Sequence, residues 1–288
     1  MDFLLTAILQ GLCFSAIALG IYISMKIFNI PDITTDGSYT LGAVVTALTL
    51  NHHWNVFLAL PVVVIAGAIA GALTGLIHTK LKINALLAGI LVMTALYSVN
   101  LILMGRSNVP LNGGSNLFSV INLVTDPNQN SLLILIVFVI VITLKIGYLL
   151  KTDFGIAMRA TGNSESMIKA LGVNTDRMKI IGLAIANALT AVSGYLITQL
   201  QGFADISMGI GIVIVGLGSV IIGETLINWF GITSVWLSLV LVLFGAVLFQ
   251  LVLAFTLSIG VDPNLLKLVT AVFVLLIVSL PRLTARTA

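Results

Sequence analysis

The most restrictive feature of this chain is a set of long stretches with no charged side chain: Phe3 to Met25, Gly37 to Thr79, Ile83 to Gly105, Ile180 to Ala204 and Thr225 to Val261. About 20 apolar residues let a helix cross the hydrocarbon core of a bilayer, where every backbone N–H and C=O must be bonded within the segment. Several windows reach that length, so the reading is an all-α integral membrane protein with several spans. Composition agrees, with 59% of the 288 residues hydrophobic and 8% charged against about 25% charged in soluble domains. A soluble fold is excluded. The first segment carries Asp2, no cationic n-region and no small-residue cleavage site, so it reads as a retained span, with no soluble domain expected at either end. A net charge of +3 with scattered basic residues argues against nucleic acid as a partner. The single Cys13 allows no intrachain disulfide and no thiolate metal cluster, and reads as a packing or lipid-facing thiol.

Hydropathy places about nine spans, within a range of eight to ten, at residues 3–25, 37–51, 54–78, 83–105, 131–150, 179–201, 206–223, 231–257 and 264–281. An odd number puts the termini on opposite sides. With the N-terminus outside, 11 of the 13 basic residues fall in the cytoplasm: Lys26, Lys80, Lys82, Lys145, Lys151, Arg159, Lys169, Arg177, Lys179, Arg282 and Arg286. Only Arg106 and Lys267 remain outside, which favours N-out, C-in. Lys145 reaches the interface by extending along its helix end.

The second span is short and follows a polar stretch, Asn29-Ile-Pro-Asp-Ile-Thr-Thr-Asp-Gly-Ser-Tyr39. Two readings stand: a broken, partly re-entrant helix lining a cavity, or an interfacial loop with Asp36 or Ser38 as helix N-cap. Gly67, Gly71 and Gly75 share a face of the third span, and Gly209, Gly216 and Gly223 lie near one face of the seventh. Close helix packing explains both sets, either within a subunit or between two. The external loop 106–130, with Asn108, Asn112, Gly113, Gly114, Asn116, Asn122, Asp126, Asn128 and Asn130, is a docking surface or a passive cap.

The cytoplasmic loop 151–178 contains Arg159-Ala-Thr-Gly-Asn163-Ser164-Glu165-Ser-Met167-Ile168-Lys-Ala170-Leu171-Gly172-Val-Asn174. Asn163 or Ser164 can cap a helix, Glu165 suits the positive end of its dipole, and Gly172 suits a left-handed stop. A helix of about nine residues, roughly 14 Å long, is too short to stand alone in water. Its apolar side, Met167, Ile168, Ala170 and Leu171, must therefore be buried against the membrane helices, a cytoplasmic partner, or both. That shape can pass a rigid-body movement from a soluble motor to a bundle.

Four segments then carry a likeness: Asp36-Gly-Ser-Tyr-Thr-Leu-Gly-Ala43, Ala170-Leu-Gly-Val-Asn174, Ser193-Gly-Tyr-Leu196 and Val215-Gly-Leu-Gly-Ser-Val-Ile-Ile-Gly-Glu224. In this order they make nearly the whole chain resemble the permease subunits of ATP-binding-cassette (ABC) importers, in the branched-chain amino acid permease family that also includes ribose-type sugar permeases. An aromatic amino acid uptake subgroup is the closest in character. The resemblance implies one type II-like permease domain over 1–288, in a bacterial-type plasma (inner) membrane. It implies a second permease subunit, most simply as a homodimer, two cytoplasmic ATP-binding subunits and an external substrate-binding protein. ATP and Mg would reside on the partner ATPase and no cofactor in this chain. The coupling helix would comprise Asn163, Ser164, Glu165, Met167, Ile168, Ala170, Leu171 and Gly172. The Glu-Ala-Ala signature of importer permeases is absent, since Asn163 and Ser164 occupy its acidic start, while Gly172 matches its glycine.

No Gly-Lys dipeptide exists, so the usual phosphate-binding loop is excluded and the chain reads as a permease, not an enzyme. His52, His53 and His78 lie at span ends and suit interfaces better than a metal site. Asp205 either faces a path or caps the seventh helix, and Glu224 ends that helix in solvent. Candidates for a translocation path are Thr34, Thr35, Asp36, Ser38, Tyr39, Asn100, Asn187 and Ser207, because polar groups away from lipid need water or a protein partner. For Asn100 and Asn187 a hydrogen bond between helices is the plainer reading. The expected activity is inward movement of a small solute by alternating access, with a branched-chain, hydrophobic or aromatic amino acid favoured and a sugar or nucleoside as the alternative. An ion-gradient-driven secondary transporter is the rival mechanism; it would usually keep ionisable residues near the midplane, whereas the acidic residues here fall near expected interfaces.

Overall fold

A computed structural model of the protein describes residues 2–111, 116–262 and 265–284. Asn112, Gly113, Gly114 and Arg286 lie outside the described residues. Helix α1 (Asp2–Ile21) continues into a π-helical turn (Tyr22–Ile27), followed by α2 (Thr34–Asn51), α3 (Val56–Lys80) and α4 (Ala85–Met104). Strand β1 (Asn108–Pro110) and the short α5 (Leu117–Val120) lead to α6 (Pro127–Lys151). Two further short helices, α7 (Asp153–Asn163) and α8 (Glu165–Ala170), precede α9 (Thr175–Gln201). After β2 (Phe203–Asp205) come α10 (Ile212–Phe230), α11 (Val235–Ser258) and α12 (Leu266–Thr284). Seven of these helices are long and apolar enough to cross a membrane by themselves. With α2 and α12 they make nine long helices among the described residues, as hydropathy expects.

Helix α2 is too polar to face lipid, and the fold keeps it from doing so. Every residue from Thr34 to Val44 is buried, and α3, α4 and α9 enclose it. Its closest crossing is with α9: a Cβ on Gly42 would strike the Ala191 carbonyl, and one on Gly194 the Tyr39 carbonyl. Such close backbone approach is what small residues permit in a membrane, where the hydrophobic effect does not drive helices together. Around this centre α1 packs on α9, α10 and α11, and α12 lies outermost against α10 and α11.

Gly67, Gly71 and Gly75 also face α9 of the same chain. A Cβ on Gly67 would come within 2.6 Å of the Ala191 Cβ, one on Gly75 within 2.7 Å of the Ile180 Cα, and one on Gly71 would strike the Leu183 carbonyl. That face is filled from within, so a second copy would have to meet another surface. The other glycine set divides. Gly216 faces Ile21 of α1, Gly223 faces Val242 of α11, and Gly209 precedes its helix altogether.

The basic residues Lys26, Lys80, Lys151, Lys169 and Lys179 gather at one end of the bundle, called here the basic end. There Lys26 pairs with Glu224 at 2.9 Å and Lys80 with Asp176 at 3.6 Å. Glu224 thus lies inside α10, three residues before Ile227 and well short of its end at Phe230, instead of closing it in solvent. At the opposite end β1 and β2 pair antiparallel, with Asn108 opposite Asp205 and Pro110 opposite Phe203. They give the external loop and the α9–α10 connection a shared floor.

Candidate functional site

The site begins where α1 stops. The π-helical turn ends at Ile27, Asn29 adopts a left-handed φ of 54°, and its side-chain amide donates to the Gly162 carbonyl at 3.2 Å. The chain then returns into the bundle. Asp32 is 1% exposed; its Oδ1 accepts the Thr34 amide at 2.9 Å and its Oδ2 accepts Asn187 Nδ2 at 2.6 Å. Asn187, near the middle of α9, also accepts the Ser38 hydroxyl at 2.7 Å and donates to the Leu183 carbonyl at 3.0 Å. The Thr34 and Thr74 hydroxyls meet at 2.7 Å. One polar network therefore joins α2, α3 and α9 inside the bundle, where each unpaired group would be expensive.

Neither Asp36 nor Ser38 caps α2. The helix starts at Thr34, and Asp32, absent from the sequence candidates, takes that residue's amide. Asp36 instead serves a helix far away in sequence. Its Oδ2 accepts the Gly211 amide at 2.9 Å and its Oδ1 the Val213 amide at 2.8 Å, at the start of α10. The expected seventh span, 206–223, is shifted because the chain leaves β2, turns through residues 206–211 with Gly211 at φ +86°, and becomes helical only at Ile212. Asp205, expected to cap this helix or face a path, bonds the amide and hydroxyl of Ser207 and the side chain of Asn108. Two helices thus begin within the bundle, each with an aspartate at the positive end of its dipole.

Asn100 of α4 is fully buried, donates to the Gly37 carbonyl at 3.3 Å, and leaves its Oδ1 without a partner. It lines a small cleft of about 20 Å³ with Asp36, Thr40, Met93, Tyr97 and Ile210. The structure therefore brings Thr34, Ser38 and Asn187 into one network and Asp36 and Asn100 into one cleft. Thr35 is buried beside them, its hydroxyl bonded to the Asp32 carbonyl. Tyr39 is buried and stacks on Phe14, 6.0 Å between centroids. Ser207 stays exposed near β2, outside this group. Among the described residues no three of His, Cys, Asp and Glu form a metal-binding group.

At the basic end the cytoplasmic stretch is two helices. The helix α7, which the sequence reading did not anticipate, is capped by Thr152, whose hydroxyl accepts the Gly155 amide at 3.3 Å. Thr152 followed by Asp153 was a readable start signal. Asn163 ends α7, and the expected helix forms as α8 with Ser164 at its N-cap position, but Ser164 makes no side-chain cap bond and the helix has six residues instead of about nine. The stop forms as expected: Val173 N donates to Ile168 O, Gly172 N donates to Lys169 O, and Gly172 has φ +84°. Glu165 clamps α8 to α9, with Lys169 at 2.8 Å, Lys179 at 2.6 Å and Thr175 at 3.1 Å. Hydrogen bonds from Lys169, then Lys179, hold its carboxyl down at about 2. Ile168 is buried, whereas Met167, Ala170 and Leu171 are exposed and form an apolar tip.

Comparison with known proteins bears on the family and the fold. The family described as "Branched-chain amino acid transport system / permease component" matches residues 3–279. A tyrosine transport system permease protein of Clostridioides difficile (strain R20291) is 37% identical over 96% of this chain and 90% of its own. An uncharacterised protein of Rickettsia prowazekii (strain Madrid E) is 39% identical over 94% of this chain and 95% of its own. Among solved structures, an ABC transporter of metal-chelate type in an inward-facing conformation shares the fold, with TM-score 0.52 and 16% identity over 92% of this chain and 81% of that one.

Proposed function

The chain belongs to the branched-chain amino acid transport system permease family of ABC transporters, and from that premise we propose that it moves an amino acid inward, branched-chain, hydrophobic or aromatic, by alternating access. The observation that carries this reading is the continuity of α9. One helix holds Thr175 and Lys179 in the Glu165 clamp and, eight residues beyond Lys179, Asn187 in the interior polar network. At 1.5 Å per residue these lie about 12 Å apart. A shift imposed on α8 reaches α2 through a single rigid element, because interiors switch between packed arrangements instead of deforming smoothly. The exposed tip of α8 is the contact for a cytoplasmic ATPase, which supplies ATP and Mg; two ATPases, an external binding protein and a second permease copy complete the assembly. Path residues are the interior ones, Thr34, Thr35, Asp36, Ser38, Tyr39, Asn100 and Asn187, with Ser207 at the outer approach. The gathering of basic residues supports N-out, C-in topology in a bacterial-type plasma membrane. The amino acid preference draws on the tyrosine permease relative.

A gradient-driven carrier would use the buried Asp32 as its proton site. Asp32, however, is 1% exposed and both its oxygens are engaged, by the Thr34 amide and Asn187, which suits a structural tie between α2 and α9. The test is uptake of labelled tyrosine and leucine into vesicles bearing the assembled transporter, with ATP at the ATPase face and the membrane potential collapsed. Uptake that requires ATP is expected. Uptake that follows an ion gradient and ignores ATP would overturn the proposal.

A further inference from the structure

Asn100 Oδ1 is a buried acceptor with no donor, in a cleft that the Asp36 carboxylate and the Thr40 hydroxyl also line. Asp36 takes one backbone amide on each oxygen, leaving lone pairs free on both, since a carboxylate accepts about four hydrogen bonds. Thr40 spends its hydroxyl proton on the Asp36 carbonyl at 3.1 Å and presents only lone pairs. Among the described residues no cation lies within 4 Å of Asp36, and the nearest charge acting on it is the more distant Lys267 ammonium. The cleft, about 20 Å³, has room for about one water-sized group. The missing occupant is therefore small, rich in donors and preferably positive. Beside the cleft Tyr97 and Ile210, 48% and 50% exposed, open it toward the outside of the subunit and offer an apolar, aromatic wall.

We propose that this cleft is a subsite for the primary ammonium group of the cargo, held by Asn100 Oδ1 and the Asp36 carboxylate while the cargo's side chain lies along Tyr97. The proposal rests on the amino acid importer reading and adds to it the atoms that recognise the cargo within the permease. It predicts that amino acids are taken in preference to sugars: a sugar brings hydroxyl donors but no charge to match Asp36.

The test uses the purified permease with its ATPase in lipid nanodiscs and three probes: tyrosine, tyramine, which keeps the ammonium and lacks the carboxylate, and 3-(4-hydroxyphenyl)propionate, which lacks the ammonium. Tyrosine and tyramine should bind, and the propionate should not. Asn100→Leu removes the acceptor at similar size and should weaken tyramine binding about 10- to 100-fold, as expected for a hydrogen bond to a charged group. Asn100→Asp restores an acceptor and should retain binding. Tyramine that fails to bind, a propionate that competes as well as tyramine, or equal tyramine affinity in wild type and Asn100→Leu would each overturn the subsite and leave the cleft holding a structural water only. The probe comparison on wild type decides the matter even if Asn100→Leu does not assemble. Amino acid uptake indifferent to the ammonium sinks this subsite and spares the importer reading. Asn100-dependent tyramine binding without any amino acid uptake does the reverse.

Discussion

Asp36 holds two backbone amides of a helix that begins 175 residues further along the chain. Replacing it with alanine would leave the Gly211 and Val213 amides unpaired, and buried donors stripped of a partner cost about 1–3 kcal/mol. Asp36→Ala is therefore expected to lower the thermal stability of the purified permease and to speed amide exchange selectively at the start of α10. Asp36→Asn keeps one acceptor oxygen and should lose roughly half as much. Equal exchange at α10 in all three proteins would show that the capping carries no weight. Glu165 makes the second residue-scale prediction, through pH. Its carboxyl is held at about 2 in the fold against an ordinary 4.5. A lowered folded value means that its stabilisation is complete above 4.5 and is lost as pH falls toward 2. The distance between spin labels at positions 167 and 181 should thus stay fixed from pH 7 to about 5 and broaden below 4.5. Glu165→Gln should show the broadened distribution already at pH 7.

The short helix α8 is held on one side and bare on the other. Ile168 is buried and Glu165 clamped, so the apolar tip of Met167, Ala170 and Leu171 is presented in a fixed position. Ala170→Arg puts a charge into the proposed ATPase contact and is expected to abolish ATP-driven uptake while membrane insertion stays normal. Ser164→Ala should cost almost nothing, since that hydroxyl caps no amide, and serves as the neutral control. Normal uptake with arginine at 170 would remove α8 from the coupling path. Elements were legible in the sequence where one-dimensional physics decides them. Nine spans followed from hydropathy, and the Gly172 stop followed from a residue that tolerates positive φ. The start of α10 was hidden because its cap joins Asp36 to Gly211, 175 residues apart, whereas the start of α2 rests on a local bond from the Thr34 amide to Asp32, legible but not singled out. Of the two readings of the polar run before Tyr39, the interfacial loop does not hold, since its polar groups are satisfied at depth by partners that only the fold supplies. Helix α7, by contrast, carries a local start signal in Thr152 followed by Asp153.

Across the whole molecule, charge and packing divide the surface into two ends and a flank. Lys80 and Lys267 are both exposed, on α3's last turn and at the start of α12. With N-out, C-in topology, a membrane-impermeant thiol reagent applied to intact cells should label Lys267→Cys and spare Lys80→Cys, in a background where Cys13 is buried; the opposite pattern would invert the bundle. The enclosure of α2 also dictates an order of events at the ribosome. Ser38 finds Asn187 only after 149 more residues have been made, which at 5–20 residues per second takes about 7–30 s. During that interval α2, with Asp32, Asp36 and a run of hydroxyls, has no α9 to bury it and is too polar to partition into lipid alone. Until α9 emerges only α3 and α4 can cover it. A chain stopped after α6 would expose a polar span without its α9 partner, which is the kind of segment that membrane quality control removes.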